Sequence, residues 1–174
     1  VLKNKKVIAV SGTHGKTSVT SMITHSLIDN QEDPSYLVAG IPKGLNKSWN
    51  LTNSDYFVIE ADEYDTAYFD KKPKFFHYRP KILLINNIEF DHADIYKNLD
   101  QIEQNFMELI QDLPKESLIY INSTGIRESF LNEIKKNINI RAQIVFFDAG
   151  TKNIHQINKN ITIKGLEGIV SENK

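Results

Sequence analysis

A stretch that could hold phosphate groups lies near the start of the chain, at Gly12-Thr13-His14-Gly15-Lys16-Thr17-Ser18. Its glycines allow the backbone to curl so that successive N–H groups face inward and bind an anion. The lysine adds a positive charge for terminal phosphates, and the first threonine after it offers a hydroxyl to Mg²⁺. We therefore predict that residues 12–18 bind a nucleotide, with Lys16 also acting in catalysis.

The flanking sequence predicts where this loop lies in the fold. Residues 7–10 form a short apolar run, typical of a strand that is buried on both faces. Residues 17–27 have helical periodicity, so bound phosphates would lie at a helix N-terminus. The apolar residues that share one face of this predicted helix are Val19, Met22, Ile23 and Leu27. Val10 stands where the usual P-loop pattern has its first glycine, and the alternative is a strand–helix turn that needs glycines for geometry alone.

Two more predicted strands, at residues 55–59 and 81–85, also end in polar clusters. The first is followed by Glu60, Asp62, Glu63 and Asp65, and the second by Asn86-Asn87-Ile88-Glu89-Phe90-Asp91-His92. Ligands of parallel sheets collect beyond the carboxyl ends of the strands, where these clusters would meet the loop. Oxygen ligands suit Mg²⁺, so we predict Glu60 as a carboxylate ligand beside Thr17. The alternatives are a capping or surface carboxylate for Glu60, and a structural or surface role for His92.

Strands that alternate with helices predict an α/β fold, with a mostly parallel sheet flanked by helices. Residues 40–53 are predicted as a loop, and residues 77–79 as structural, at the edge opposite the phosphate loop. The remaining predicted elements are strands at 36–39, 117–121 and 143–147, helices at 100–113 and 126–138, and a small antiparallel hairpin at 161–170.

Bulk properties limit the classes of function. With 174 residues, 40% of them hydrophobic, one domain spanning residues 1–174 is expected. A net charge of -1 gives no electrostatic reason to expect nucleic acid or an anionic membrane as a partner. There is no cysteine, no secretory signal and no apolar run of the roughly 20 residues that a membrane span needs. We expect a cytoplasmic domain that is a fragment of a longer protein.

Three motifs together resemble the signatures of the central ATP-binding domain of the Mur ligases. They are Gly12-Thr13-His14-Gly15-Lys16-Thr17, Glu60-Ala61-Asp62-Glu63-Tyr64-Asp65 and Asn87-Ile88-Glu89-Phe90-Asp91-His92. These ATP-dependent enzymes join amino acids or peptides to UDP-N-acetylmuramate for peptidoglycan. Residues 63–67, 76–80 and 90–95 are more similar to the branch that attaches L-alanyl-γ-D-glutamyl-meso-diaminopimelate during cell-wall recycling.

The resemblance implies a P-loop-type fold, ATP and Mg²⁺ as cofactors, and specific roles for residues. It implies phosphate binding by Gly15, Lys16 and Thr17, Mg²⁺ binding by Thr17, Glu60 and His92, and a place for Asn87 in the same shell. It also implies a catalytic role for His92 beside Lys16. ATP would activate the lactyl carboxylate of UDP-N-acetylmuramate as an acyl phosphate, which the amine of the peptide then attacks.

Three alternatives stay open. The acceptor could be L-alanine, as in the UDP-N-acetylmuramate–L-alanine ligases. A different P-loop kinase would transfer phosphate without needing an amine, and a regulatory module would bind nucleotide without turnover. We expect the isolated domain to be inactive as a ligase.

Overall fold

The computed structural model describes residues 2–62, 73–91, 96–149 and 154–156, and these form one sheet with helices on both faces. Its strands are β1 (Lys6–Ser11), β2 (Ser35–Leu37), β3 (Trp49–Asn50), β4 (Tyr56–Ala61), β5 (Ile82–Ile85), β6 (Leu118–Asn122), β7 (Gln143–Phe147) and β8 (Ile154–Gln156). Its α-helices are α1 (Lys16–Asp29), α2 (Leu99–Asp112) and α3 (Glu128–Lys136), and short 3₁₀ helices lie at Leu2–Asn4, Lys74–His77 and Ser123–Gly125. The mostly parallel α/β fold predicted from the sequence is confirmed.

The strand order is β3-β2-β4-β1-β5-β6-β7-β8. The six central strands are parallel, while β3 and β8 pair antiparallel at the two edges. The chain moves to one side of β1 to form β2 and β4, then crosses to the other side to form β5. Ligand crevices in open α/β sheets occur at such a reversal, beyond the carboxyl end of the central strand.

The strand register aligns three carboxyl ends. Ser11 of β1 lies opposite Ala61 of β4 on one side and opposite Ile85 of β5 on the other. The Ser11 hydroxyl also donates to the Ala61 carbonyl over 2.8 Å. The residues that follow these strands therefore leave the sheet side by side.

The core has one layer on each face of the sheet. α1 covers a smaller cluster that includes Tyr36, Val38 and Val58. α2 and α3 cover a larger one, in which Phe106 and Ile110 of α2 are fully buried. The apolar face predicted for the helix at 100–113 is confirmed, and Asn98 caps it by accepting from the Gln101 N–H.

The prediction for the apolar face of α1 was wrong for Met22. Met22 is 61% exposed, whereas the buried side chains are Thr20, Ser21 and Thr24. Thr20 and Thr24 are four positions apart and share a face, while Met22 is about 200° around the helix from each of them. The neighbours of that face, Ile23 and Leu27, pack partly buried against the α1-side cluster.

The sheet has two antiparallel edge strands that the sequence did not predict. β3 falls inside the stretch 40–53 that was predicted as a loop, and β8 lies at 154–156. The hairpin predicted at 161–170 lies outside the described residues. Among the helices that the structure describes, none is long and apolar enough to cross a membrane.

Candidate nucleotide site at the strand ends

The loop between β1 and α1 has the backbone geometry of an anion site. Gly12 has a φ of 133° and Gly15, the residue before α1, has a φ of 79°. Side chains with a Cβ rarely adopt such angles, so both glycines are needed for this curl. No side chain caps the start of α1 at Gly15. Because the first N–H groups of a helix lack partners within the helix, they form a ready site for phosphate.

The segment after β5 holds this loop in place. The Glu89 N–H donates to the Thr13 hydroxyl over 2.9 Å, and the Thr13 N–H donates to the Asn87 carbonyl over 3.1 Å. The Asn86 side chain donates to the His14 carbonyl over 3.1 Å. The phosphate loop is therefore docked on the end of a neighbouring strand.

The Lys16 side chain folds back over the loop. Its ammonium donates to the Gly12 carbonyl over 2.7 Å and to the Thr13 carbonyl over 3.3 Å, and it lies 3.5 Å from the Asp62 carboxylate. Only 13% of the side chain is exposed. The positive charge lies at the curl of the loop, where a bound phosphate would need it.

Thr17 and Glu60 meet beside the loop. The Thr17 hydroxyl donates to Glu60 Oε2 over 3.1 Å, and the Ala39 N–H donates to Glu60 Oε1 over 2.7 Å. Glu60 is 9% exposed, and burial raises the pKa of its carboxyl group, although these two hydrogen bonds lower it in part. A hydroxyl and a carboxylate in contact are hard oxygen donors, which fits Mg²⁺. The pairing of Thr17 with Glu60 that the sequence predicts is present.

His14 lies at the surface of the site. Its Nε2 is 3.8 Å from Glu89 Oε2, and both side chains are more than 60% exposed. Ser18 is also exposed, in the first turn of α1. His14 therefore contributes to the site through its backbone, which the residues after β5 hold.

The predicted site residues can now be placed. The structure brings together Gly12, Thr13, His14, Gly15, Lys16, Thr17, Ser18, Glu60 and Asn87 at one edge of the sheet. His92 lies outside the described residues, so its metal and catalytic roles stay predictions. Within 2–62, 73–91 and 96–149, no three side chains from His, Asp or Glu are grouped closely enough to hold a metal ion.

Some contacts of the site had no clear signal in the sequence. The Ala39 N–H reaches Glu60 only because β2 lies beside β4, an order that residue patterns do not reveal. Asp62 belongs to the acidic cluster after β4, but its ion pair with Lys16 was not predicted. Gly125 supplies its carbonyl to the Ile88 N–H over 2.9 Å, which connects the loop after β6 to the same site.

The segment 77–79 precedes β5, as the sequence predicts. Tyr78 is partly buried and packs against the larger core cluster, which agrees with a structural role. Burial raises the pKa of the Tyr78 phenol, and the negative charge of Asp62 raises it further.

Comparison with known proteins gives a consistent picture. Residues 10–170 match the Mur ligase middle domain. The chain is 48% identical over 119 residues to the UDP-N-acetylmuramate–L-alanyl-γ-D-glutamyl-meso-2,6-diaminoheptandioate ligase of Haemophilus influenzae, covering 68% of this chain and 26% of that protein. It is 41% identical over 124 residues to the UDP-N-acetylmuramate–L-alanine ligase of Clostridium acetobutylicum, covering 71% of this chain and 26% of that protein.

A solved structure adds support from the fold. The crystal structure of the UDP-N-acetylmuramate:L-alanyl-γ-D-glutamyl-meso-diaminopimelate ligase from Neisseria meningitides superposes with a TM-score of 0.75 at 39% identity. The match covers 84% of this chain and 47% of that one. The chain spans about a quarter of the length of the curated relatives named above. The chain belongs to the Mur ligase family, as a middle domain.

Proposed function

We propose that this chain is the central, ATP-binding domain of a longer ligase that forms an amide bond. One observation carries the proposal: the phosphate loop, Lys16 and the Thr17–Glu60 pair meet at the carboxyl edge of a sheet that belongs to the Mur ligase middle domains. A loop alone would suit many nucleotide-binding proteins. Membership in a ligase family favours amide formation over the kinase and regulatory alternatives.

The proposed substrates are UDP-N-acetylmuramate and the peptide L-alanyl-γ-D-glutamyl-meso-diaminopimelate. Support comes from the name of the Haemophilus influenzae relative, at 48% identity, and from the name of the Neisseria structure. The L-alanine ligase of Clostridium acetobutylicum, at 41% identity, keeps L-alanine as the alternative acceptor. No nucleic acid is proposed as a partner, and the cytoplasmic location stays a prediction.

The proposed reaction activates a poor electrophile in two steps. An oxygen of the lactyl carboxylate attacks the γ-phosphorus of ATP, the bond to the β-phosphate oxygen breaks, and ADP leaves. The amine then attacks the carbonyl carbon of the acyl phosphate, its extra proton is lost, and phosphate departs with the carboxylate oxygen. The ammonium of Lys16 stabilises the negative charge on the transferring group, and the N–H groups at the start of α1 orient it.

Mg²⁺ fits the donor atoms present at the site. Thr17 and Glu60 would hold it, with His92 as a further predicted ligand. When bound, Mg²⁺ neutralises charge on the phosphate oxygens. Glu60 must be ionised to bind a cation, and its burial opposes ionisation, so its hydrogen bonds with Thr17 and Ala39 have a functional role.

The test is phosphate release by the full-length protein that contains this chain. We expect release with ATP, UDP-N-acetylmuramate and the tripeptide together, and much slower release when the tripeptide is replaced by L-alanine. Faster release with L-alanine would favour the alternative acceptor. Release that needs no amine, or nucleotide binding without turnover, would contradict the ligase assignment.

A further inference from the structure

Asn87, the second residue after β5, binds the phosphate loop through its side-chain amide. The His14 N–H donates to Asn87 Oδ1 over 2.7 Å, and Asn87 Nδ2 donates to the His14 carbonyl over 3.1 Å. These two bonds fix the amide orientation, because only this orientation matches a donor with an acceptor at both atoms. The side chain thus pairs with both backbone polar groups of one loop residue.

The backbone of Asn87 is packed equally closely against the loops on either side. A Cβ at Gly12 would lie 2.8 Å from the Asn87 carbonyl oxygen, and a Cβ at Gly125 would lie 2.9 Å from the Asn87 Cβ. Real Cβ atoms do not approach other atoms so closely, so both neighbours must be glycine. Asn87 is therefore enclosed between the loop after β1 and the loop after β6.

This arrangement decides which N–H groups of the loop can face a phosphate. The N–H groups of Thr13 and His14 are directed at Asn87, over 3.1 and 2.7 Å. The curl that follows brings Gly15 to the start of α1, so the phosphate-binding N–H groups are those at the start of that helix. Asn87 thus sets the point in the sequence at which the loop turns inward.

We propose that Asn87 is a positioning residue: it fixes the curl of the phosphate loop, and so the affinity for a nucleoside triphosphate, without touching the nucleotide. This inference rests on the proposed function and deepens it, since the family resemblance only placed Asn87 among the residues around the nucleotide. The geometry also explains the residue type. Aspartate lacks the donor for the His14 carbonyl, and glutamine is longer by one methylene, which would displace its amide from the two backbone groups of His14.

The first measurement is binding of Mg²⁺ with ATP, by calorimetry, to the full-length protein that contains this chain. We expect Asn87→Ala to raise the dissociation constant roughly ten- to thirtyfold, because two hydrogen bonds that hold the loop are lost. Asn87→Asp should weaken binding at least as much, because a carboxylate oxygen would face the His14 carbonyl and the phosphates. Asn137→Ala is the matched control, since Asn137 also accepts from a backbone N–H, in the loop after α3.

The second measurement is hydrogen exchange of individual amides, by NMR, in the absence of nucleotide. Asn87→Ala should speed exchange at Thr13 and His14, while amides of α2 keep the rate of the wild type. Asn137→Ala should leave the loop amides unchanged. This readout separates a local change in the loop from a general loss of stability.

The outcomes distinguish this inference from the proposed function. Faster exchange at His14 together with weaker binding supports the positioning role. Unchanged exchange at His14 in Asn87→Ala, or an affinity equal to that of the wild type, overturns it. A wild-type chain that binds no nucleotide contradicts the proposed function, and the exchange measurement alone then decides whether Asn87 holds the loop.

Discussion

The Lys16 ammonium can bind the backbone of its own loop or a phosphate group, so it has both a structural and a functional role. In the structure it is held by the carbonyls of Gly12 and Thr13 and by Asp62. Charge-assisted hydrogen bonds to phosphate are about twice as strong as neutral ones, so a nucleotide competes well with carbonyls for the same charge. The loop thus keeps the lysine close to where it is needed.

We expect Lys16→Ala to lower turnover in the full-length ligase by a factor on the order of 10² to 10³, because a charge that stabilises the transition state is lost. The measurement is the rate of phosphate release at saturating substrates, with circular dichroism as a check on folding. Lys16→Arg is the control, since it retains the charge but not its shape. Turnover near that of the wild type in Lys16→Ala would show that residues 12–18 are not a phosphate loop.

The buried carboxyl group of Glu60 makes a prediction about pH. Its pKa is raised in the folded state, so folding favours the protonated form, and the stability that this provides is present at low pH. That stability is lost as the pH rises through the raised pKa. We therefore expect Glu60→Gln to be more stable than the wild type at pH 7 without metal. The difference should shrink as the pH falls from the raised pKa toward 4.5, the ordinary glutamate pKa, and should be absent below it.

The same variant should lose metal-dependent binding. Glu60→Gln keeps an oxygen for the Ala39 N–H but removes the negative charge that attracts a cation. Titration of nucleotide with and without Mg²⁺ should show a smaller metal effect than in the wild type, whereas His77→Gln should behave like the wild type. An unchanged Mg²⁺ dependence in Glu60→Gln would remove Glu60 from the metal site.

At the scale of elements, α1 packs by small polar side chains rather than by an apolar stripe. Thr20 and Thr24 are fully buried, and the Thr24 hydroxyl donates to the Thr20 carbonyl over 2.8 Å. Within the described part of the chain, the Thr20 hydroxyl is a buried polar atom without a hydrogen-bond partner. An unpaired buried hydroxyl costs about 1–3 kcal/mol, so the Thr20 hydroxyl destabilises the second turn of α1.

We expect Thr20→Val to raise the free energy of unfolding by about 1 kcal/mol, because valine keeps the shape and removes the unpaired hydroxyl. Thr24→Val is the matched control, since it removes a hydrogen bond that is made and should give no stabilisation. Urea unfolding of both variants provides the comparison. Equal effects in the two would mean that the pairing of the hydroxyl is irrelevant.

The loops after β5 and β6 are in close contact at Gly125. A Cβ there would overlap the Asn86 carbonyl oxygen and lie 2.9 Å from the Asn87 Cβ. We expect Gly125→Ala to lower the free energy of unfolding by about 1–3 kcal/mol and to shift the backbone after β5. Gly40→Ala is the comparison, because Gly40 has open space around it and a φ of 76°.

The two glycine variants separate the effect of steric overlap at a new Cβ from the effect of a left-handed backbone conformation. Gly40→Ala should cost about 1–2 kcal/mol through its left-handed backbone alone, with the chemical shifts of residues 12–16 unchanged. Gly125→Ala should move those shifts through Asn86 and Asn87. Unmoved shifts in Gly125→Ala would mean that the loop after β6 does not support the phosphate loop.

For the whole molecule, the sequence predicted individual strands and motifs better than it predicted which segments lie next to each other in the fold. Continuous apolar runs, such as residues 7–10 and residues 56–59 of the strand predicted at 55–59, identified β1 and β4, because strands buried on both faces need continuous apolar residues. The short edge strand β3 has two residues and an exposed Trp49, so it carries no such pattern. The buried threonines of α1 are polar residues, so nothing in the sequence indicated that they face the core, and Met22 was placed on the buried face instead.

The part of the site that lies within one motif could be predicted from the sequence. The contacts between segments that only the fold brings together could not. Residues 12–17 carry their glycines and lysine in sequence, whereas the contact from Ala39 to Glu60 depends on the strand order β2-β4-β1. The positioning contacts of Asn87 depend on the loops after β1 and β6, which meet at the carboxyl end of β5. Such contacts join distant segments, and periodicity within one segment cannot reveal them.

The isolated chain should bind nucleotide but not ligate. We expect residues 1–174 to bind Mg²⁺ with ATP weakly and to form no amide, because the proposed substrates need regions that this chain does not provide and closure by them tightens the site. The measurement is product formation by mass spectrometry alongside calorimetry. Efficient ligation by the 174-residue chain would contradict its assignment as the central domain of a longer ligase.

The central claim, that ATP activates a carboxylate by forming an acyl phosphate, is tested most directly by an isotope transfer. The full-length protein is incubated with ATP, the tripeptide and UDP-N-acetylmuramate whose lactyl carboxylate carries ¹⁸O at both oxygens. Because phosphate departs with the oxygen that attacked ATP, we predict one ¹⁸O atom in each phosphate released, detected by mass spectrometry or by the ³¹P shift. Phosphate that carries no label would contradict the account.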